Sequence, residues 1–228
     1  MNKKTQKELL AVVKNNYEEI AKEFDQTREK KLWPELLKLF KSVKDEDSVL
    51  DVGCGNGRLI KVFGEKKIKY LGIDQSQELI KKAKGKYPGY EFTYGDILNL
   101  GGLAGHDFDS VACLAVLHHI PGENLRVQAL GQLKNKIKKD GRIIISVWNL
   151  WEQKRFRSLI LKSFVLKLLG KHQMDFGDIL FDWKAGTRSK RYYHAFTKRE
   201  LRHIIRKSGL NIEKLYKDRY NYYAILTK

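Results

Sequence analysis

The sequence has little cysteine and no long apolar run. Two cysteines in 228 residues cannot form a disulfide framework, so Cys54 and Cys113 are predicted to be small, reduced side chains. No apolar stretch approaches the ~20 residues that a membrane-spanning helix needs. The basic residues 1–4 lead into an amphipathic segment, not into the apolar core of a signal peptide. These absences argue against a disulfide-stabilised secreted domain and predict a cytoplasmic protein without a membrane partner.

Metal-ligand clusters are also missing. No group of cysteines or histidines in the sequence has the spacing of a metal site, so no metal is predicted. The chain has no internal repeat and no low-complexity tract. Its chemistry must therefore be sought in single motifs.

Acidic residues are outnumbered by basic ones, 27 against 45, which gives a formal net charge of +18. The excess is concentrated in residues 151–207, where 15 Lys and Arg face 5 Asp and Glu and aromatic residues lie between them. Basic side chains neutralise phosphates, and aromatic rings stack on unpaired bases. Scattered lysines can equally form a solvated surface, but the clustering favours a polyanionic partner. RNA is expected, and DNA is not, because nothing resembles a helix that reads the major groove.

Glycine occupies every second position of a short loop that directly follows the apolar residues 48–52. This pattern predicts a buried strand that opens into a pocket lined by backbone, because Gly53, Gly55 and Gly57 place no Cβ against a ligand. A dinucleotide-binding loop would carry its third glycine at position 58, which is Arg58. The loop therefore departs from the NAD pattern and indicates another nucleoside cofactor.

Two acidic residues accompany the loop. Asp51 lies in the first apolar run, and Asp74 ends the next one, where it can accept hydrogen bonds from ribose hydroxyls. The combination of strand, acid, glycines and second acid resembles motif I of the class I S-adenosylmethionine (SAM) methyltransferases. In that resemblance Asp51 stands near the ammonium group of SAM, where NAD would place pyrophosphate oxygens that an acid repels. SAM is thus the expected cofactor.

Beyond the loop, strands and helices alternate. Strands are predicted at 48–52, 69–73, 90–94, 108–114, 142–148, 210–217 and 220–227, and helices at 5–23, 33–40, 57–64, 76–86, 123–138 and 197–207. Such alternation predicts an α/β fold with a doubly wound, mostly parallel seven-stranded sheet and helices on both faces. We expect one methyltransferase domain over residues 1–228, with an N-terminal helical segment at 1–44 and a basic insertion at about 150–190.

Ligands of such sheets bind beyond the carboxyl ends of the strands, so the loops after the first four strands are expected to share one rim. Asp96, after the third strand, resembles the acid that recognises the adenine amino group, and Ile97 would pack against the ring. The predicted cofactor-binding residues are Asp51, Gly53, Gly55, Gly57, Asp74, Gln75, Asp96, Ile97 and Ala115.

Three further segments make a more specific resemblance. They are residues 17–28 (YEEIAKEFDQTR) followed by Trp33 and Pro34, residues 114–120 (LAVLHHI) and residues 191–196 (RYYHAF). Together with the glycine loop they resemble the tRNA wobble-uridine carboxymethyl methyltransferases over nearly the whole chain, and only residues 154–187 match poorly. The resemblance implies methylation of the carboxylate of 5-carboxymethyluridine in the anticodon loop to its methyl ester. It also implies a small zinc-binding activator subunit as a partner.

The chemistry agrees with this resemblance. A substrate carboxylate is ionised at neutral pH and is its own nucleophile, so the site must position it and exclude water. The planar guanidinium of Arg28 suits a carboxylate, and His118 or His119 could donate a second hydrogen bond. The residues expected to contact substrate RNA are Tyr17, Arg188, Lys190, Arg191, Tyr192, Tyr193 and His194.

Two alternatives stay open at the level of the sequence. One is a SAM-dependent methyltransferase of a small acid or other metabolite, the commonest use of this fold, which would leave the basic, aromatic residues 151–207 without a purpose. The other is a tRNA-binding relative that keeps SAM but has lost turnover, which the presence of Arg28, His118 and His119 disfavours.

Overall fold

The computed structural model describes residues 1–21, 33–103, 105, 107–183 and 189–228. The helices are α1 (Lys3–Glu19), α2 (Pro34–Leu39), α3 (Gln77–Lys86), α4 (Glu123–Lys134), α5 (Lys154–Leu168) and α6 (Lys198–Lys207). The strands are β1 (Ser48–Val52), β2 (Lys69–Asp74), β3 (Glu91–Tyr94), β4 (Phe108–Leu114), β5 (Ile137–Trp148), β6 (Asp178–Trp183), β7 (Ser189–His194), β8 (Asn211–Lys217) and β9 (Asn221–Thr227).

Seven of these strands form one sheet in the order β3-β2-β1-β4-β5-β9-β8. Strands β1 to β5 pair in parallel, whereas β9 pairs antiparallel with both β5 and β8. The chain order reverses on either side of β1, so the carboxyl ends of β1, β2 and β4 meet at one edge, as expected for a ligand site. The predicted fold class is confirmed.

The sheet buries a core on each face because consecutive residues of a strand point to opposite sides. In β1, Leu50 and Val52 join the core that packs on α4 and α6, whereas Val49 joins the opposite core, which includes Leu36 of α2 and Ile80 of α3. The near-continuous apolar run of β1 is therefore explained by burial on both faces.

Helix α1 is fastened across the cofactor edge of the sheet by polar contacts. The carboxylate of Glu18 accepts hydrogen bonds from the Ser76 hydroxyl (3.1 Å) and the Gln77 amide (2.9 Å) at the start of α3. A carboxylate at a helix N-terminus is stabilised by the unpaired amide groups there. These contacts place the C-terminal half of α1 over the rim.

Two sequence predictions are wrong in detail. Helix α4 ends at Lys134 and β5 already begins at Ile137, so the Asp140-Gly141 pair lies inside the strand instead of before it. The pairing of β4 with β5 shifts register at this point, and a Cβ on Gly141 would lie 2.9 Å from the carbonyl oxygen of Asp109. The pair thus marks an irregularity in the ladder where the backbones come close.

The basic insertion has regular structure that the sequence analysis did not predict. Helix α5 packs on a two-stranded antiparallel sheet of β6 and β7, with Phe156, Ile160, Ile179 and Tyr193 in its small core.

No helix in the described residues is long and apolar enough to cross a membrane.

Candidate active site

The glycine loop continues directly from β1. The amides of Gly53 and Cys54 both donate to the carbonyl oxygen of Ile73 in β2, at 2.8 and 2.9 Å. Gly53 has a φ of 76°, and a Cβ at this position would collide with Cγ2 of Val116. The loop therefore requires glycine here both for its backbone conformation and for the close approach of the loop after β4.

Asp51 is a buried acid under the loop. It is 3% exposed and accepts a hydrogen bond of 2.7 Å from the Tyr70 hydroxyl. Burial raises the pKa of Asp51 to about 7, with the nearby Asp74 adding to the rise and the Tyr70 hydrogen bond opposing it. A cationic ligand group beside this carboxyl would favour its ionised form.

Asp74 closes the loop from the opposite side. Its Oδ2 accepts a hydrogen bond from the Gly55 amide (2.8 Å) and its Oδ1 accepts one from the Ser76 amide (2.9 Å). Burial raises the pKa of Asp74 despite these two hydrogen bonds, which favour the charged form. The acid predicted to bind ribose therefore also fixes the shape of the glycine loop.

A cleft of about 1250 Å³, its open mouth included, lies beyond the carboxyl ends of β1, β2 and β4. Eight of the nine predicted cofactor residues line it: Asp51, Gly53, Gly55, Asp74, Gln75, Asp96, Ile97 and Ala115. Gly57 does not line it. This glycine, with a φ of 76°, turns the chain into a 3₁₀ helix at Arg58–Val62, and a Cβ there would lie 2.8 Å from the Phe92 ring. Gly57 thus has a packing role in this structure, and its predicted contact with the cofactor stays a prediction.

Sequence reasoning missed part of the cleft wall. Leu10 and Val13 of α1, Trp33 and Arg58 line it as well, with the Arg58 guanidinium 5.2 Å from the centroid of the Trp33 ring. The apolar periodicity of α1 was recognised as helical, but nothing in that pattern tells which structure its apolar face covers. For Trp33 the sequence predicts the start of a helix and a family segment, and neither places its ring at the cleft.

The two loops after β3 and β4 complete the rim. Asp96 accepts a hydrogen bond from the Leu98 amide (2.9 Å), which folds the loop back and leaves Asp96 and Ile97 at the cleft. Ala115 has a φ of 57°, and its amide donates to the side chain and the carbonyl of Ser146. A non-glycine residue in this conformation is held by its surroundings and is typical of functional loops.

The structure separates the roles of the two adjacent histidines. His119 lines the cleft, and its Nε2 lies 2.8 Å from the hydroxyl of Tyr17, another lining residue. His118 is fully buried behind it and stacks on Trp148 at 4.6 Å between ring centroids. The predicted hydrogen bond from His118 or His119 to the substrate stays a prediction, and this geometry favours His119 for it, since His118 is part of the wall behind.

Most of the predicted RNA-contacting residues on β7 are internal. Tyr192, Tyr193 and His194 are 1%, 3% and 0% exposed, so these rings are not surfaces on which bases stack. This corrects the prediction, and the reason is that β7 is covered by α1 on one side and by the 117–119 segment on another. Lys190 is exposed, and Arg191 is half-buried with its guanidinium 3.4 Å from the Tyr193 hydroxyl. Arg28 and Arg188 lie outside the described residues.

Comparison with known proteins fits this geometry. The chain matches the methyltransferase domain family over residues 24–215. It is 30% identical to tRNA (carboxymethyluridine(34)-5-O)-methyltransferase of Schizosaccharomyces pombe over 223 residues, 93% of this chain and 94% of the relative. It is 35% identical to the Saccharomyces cerevisiae enzyme of the same name over 134 residues, 59% of this chain and 47% of that one.

Solved structures share the fold. A SAM-dependent methyltransferase of Methanosarcina mazei has a TM-score of 0.70 at 20% identity, covering 87% of this chain and 99% of that chain. A chain from the complex between the Trm112 methyltransferase activator and a methyltransferase of Haloferax volcanii has a TM-score of 0.66 at 17% identity, covering 94% and 96%. At these identities the likeness is one of fold.

Proposed function

We propose that this protein methylates tRNA. The premise is that the chain belongs to the methyltransferase domain family and, within it, to the tRNA (carboxymethyluridine(34)-5-O)-methyltransferases. The protein is a SAM-dependent methyltransferase. In this proposal it transfers the methyl group of SAM to the carboxylate of 5-carboxymethyluridine at the wobble position. The observation that carries the proposal is the end-to-end similarity to the Schizosaccharomyces pombe enzyme, which spans 93% of this chain.

The cleft fits SAM on chemical grounds. SAM supplies an electrophilic methyl group on a sulfonium centre. The pKa of the Asp51 carboxyl is raised to about 7, so a cationic group of SAM beside it would favour the ionised form. Gly53 lets a ligand approach the backbone where a Cβ would collide with Val116. The assignment of Asp74 to the ribose and Asp96 with Ile97 to the adenine stays a proposal, supported by their common position on the rim.

His119 supports a carboxylate acceptor. A carboxylate needs no base to act as a nucleophile, so the site gains by holding it and excluding water. The Tyr17 hydroxyl, 2.8 Å from His119 Nε2, fixes the orientation of the imidazole at the cleft wall. Arg28, outside the described residues, is the proposed bidentate partner of the carboxylate, as the family resemblance implies.

The surface charge supports an RNA substrate. Residues 154–171 of the insertion contain six Lys and Arg and no acid, and Lys190 is exposed on the neighbouring hairpin. Such a patch attracts phosphates in a salt-dependent way. The small zinc-binding activator also stays a proposal, based on the family resemblance.

The deciding experiment measures methyl transfer from radiolabelled SAM to two tRNAs that differ only in carrying 5-carboxymethyluridine or unmodified uridine at the wobble position. We expect transfer to the first tRNA alone, and a base-labile product, because a methyl ester hydrolyses in alkali. Each assay is run with and without a purified activator subunit. Transfer to free small acids but to neither tRNA would instead support the metabolite alternative, and SAM binding without any transfer would support the non-catalytic one.

A further inference from the structure

A buried cluster of polar side chains joins the β6–β7 hairpin to the main sheet domain. His194, the last residue of β7, is 0% exposed and lies between two carboxylates. Its Nδ1 is 2.6 Å from Oδ1 of Asp178, which opens β6, and its Nε2 is 2.7 Å from Oε1 of Glu200 in α6. The imidazole therefore bridges the insertion to a helix that packs on the main core.

This arrangement matches a protonated imidazole. Carboxylates only accept hydrogen bonds, so two of them require a donor on each ring nitrogen, which only the imidazolium has. Burial and the charge of Arg126 lower the pKa of His194, but the hydrogen bonds to Asp178 and Glu200 outweigh them and leave the pKa above its ordinary value. Arg126 is itself buried in α4, 3.6 Å from Glu200, and the Tyr192 hydroxyl donates to Asp178 at 2.7 Å. In the part of the chain that the structure describes, Asp178, Glu200, Arg126 and Tyr192 are the charged and titratable neighbours that face the imidazole.

The residue before His194 reaches the active-site wall. Adjacent side chains of a strand point to opposite faces, and the Tyr193 ring accordingly meets the ring of His119 edge-on at 5.2 Å and that of Trp148 at 5.0 Å. None of the β7 residues is among those that line the cofactor cleft. The glycine loop is held by hydrogen bonds to β2, so a shift of β7 should disturb His119 while leaving that loop in place.

We propose that His194 is a positioning residue for the acceptor side of the site. Held between Asp178 and Glu200, it fixes β7 so that Tyr193 keeps the imidazole of His119 oriented toward the cleft. The catalytic consequence rests on the proposed function, whereas the orientation of His119 rests on the geometry alone.

The catalytic test replaces His194 by glutamine, which has a single amide donor group and cannot bridge both carboxylates as a cation does. In single-turnover transfer to the modified tRNA at saturating SAM, His194→Gln should be about tenfold to 100-fold slower. Its affinity for SAM should stay within about twofold of the wild-type value. The matched control is His203→Gln in α6, where the histidine is 61% exposed and lies 3.6 Å from Glu123; both quantities should be unchanged there.

A spectroscopic readout does not depend on activity. Ring currents of Tyr193 act on the His119 imidazole, so its proton resonances report the position of β7. In the wild type these resonances should move when His194 titrates above pH 6.5, because a neutral imidazole loses one of its two carboxylate contacts. The methyl-transfer rate should fall over the same pH range. His194→Gln should shift the His119 resonances and remove the step that the titration of His194 contributes to both pH profiles.

Each result supports or overturns the inference. Unchanged rate and unchanged His119 resonances in His194→Gln overturn it, as does a loss of SAM affinity parallel to the loss of rate, which indicates a general structural role. Should His194→Gln fail to fold, Glu200→Gln decides, because it removes one carboxylate charge and is expected to lower the pKa of His194 and to shift His119. If His194→Gln shifts the His119 resonances but the wild-type protein does not methylate the tRNA, the proposed function is rejected and the positioning role of His194 is kept.

Discussion

The cofactor side of the site and its acceptor side are built from contacts of very different range. The glycine loop follows β1 without a gap, and its shape is set by hydrogen bonds to the neighbouring strand, such as that from Gly55 to Asp74, 19 residues away. The acceptor wall joins Tyr17 to His119 across 102 residues and adds Tyr193 from a separate hairpin. A cofactor site built locally can be kept while the acceptor wall is rebuilt, which is one physical reason why this fold serves many substrates.

The two sides also differ in charge. Three acids lie on the cofactor side, the buried Asp51, the half-buried Asp74 and the exposed Asp96, whereas the insertion carries a basic surface. A cationic cofactor and a polyanionic substrate would therefore each meet the opposite charge. Variants on the cofactor side should change SAM binding, whereas variants on the acceptor side should change only the transfer to RNA.

The largest effect is expected from Arg28, the proposed partner of the acceptor carboxylate. Arg28→Ala should slow single-turnover methyl transfer by about 100- to 1000-fold, because one bidentate contact to the acceptor is lost, and SAM affinity should not change. Arg28→Lys should recover little, since an ammonium group keeps the charge but not the planar geometry. A rate near that of the wild type in Arg28→Ala would remove the proposed carboxylate clamp.

A similar effect, now on the cofactor side, is expected from Gly53→Ala. The new methyl group would overlap Val116 and the backbone would be strained at a φ of 76°, so calorimetry should show SAM binding weakened by about 100-fold, about 3 kcal/mol. Gly64→Ala is the control: its φ is 59°, but no atom lies within 4 Å of the added Cβ. Gly64→Ala should lose some stability and no SAM affinity, and equal losses of affinity would mean that strain alone is responsible.

A pH effect of moderate size should report Asp51. Since a bound cation favours the ionised carboxyl, a pKa of about 7 in the SAM-free protein predicts binding about tenfold weaker at pH 6 than at pH 8. The same pKa lies above that of an unfolded aspartate, so the SAM-free protein should lose stability as the pH rises from about 4 to 7. Calorimetry in buffers of different ionisation enthalpy would measure the proton released on binding, and Asp51→Asn should abolish it.

The smallest effect is expected from single charges on the proposed RNA surface. Lys190→Ala should weaken tRNA binding a few-fold and lower the slope of log affinity against log salt by about 1, without changing SAM affinity. The control is Lys81→Ala, at an exposed lysine of α3 outside the insertion and the β6–β7 hairpin. A tRNA affinity that does not depend on salt would contradict an RNA surface on the hairpin.

The sequence predicted best where structure depends on neighbours in the chain. The bounds of β1 and β4 were predicted to the residue, because a buried apolar run bordered by turn residues leaves few alternatives. Eight of the nine predicted cofactor residues also lie at the cleft, since acids and glycines at the ends of strands must lie at the carboxyl edge of a parallel sheet, and their contacts with SAM stay a prediction. The turn predicted at Asp140-Gly141 was wrong because the same residue pair is compatible with an irregular strand. Only the pairing of β5 with β4 decides between a turn and a strand.

The acceptor side could not be predicted in the same way. Tyr192, Tyr193 and His194 lie in a basic, aromatic segment that suggests an exposed RNA surface, yet the structure buries all three. Burial of His194 is stable only because Asp178 and Glu200, from two other elements, supply its hydrogen-bond partners. The distinction between His118 and His119 is likewise set by Trp148 and Tyr17, which no local pattern connects to them.

By itself, then, the sequence determined the alternation of the fold, the glycine loop and its acids, and the family, all of which follow from periodicity and short-range motifs. Only the tertiary structure decided which histidine faces the cleft, that α1 covers it, and that β7 is internal. These properties depend on contacts between separate elements, some of them far apart in the chain, such as Tyr17 with His119 and Asn16 with Ser189. Such contacts arise when complete helices and strands pack together, and no short sequence motif includes both contacting residues.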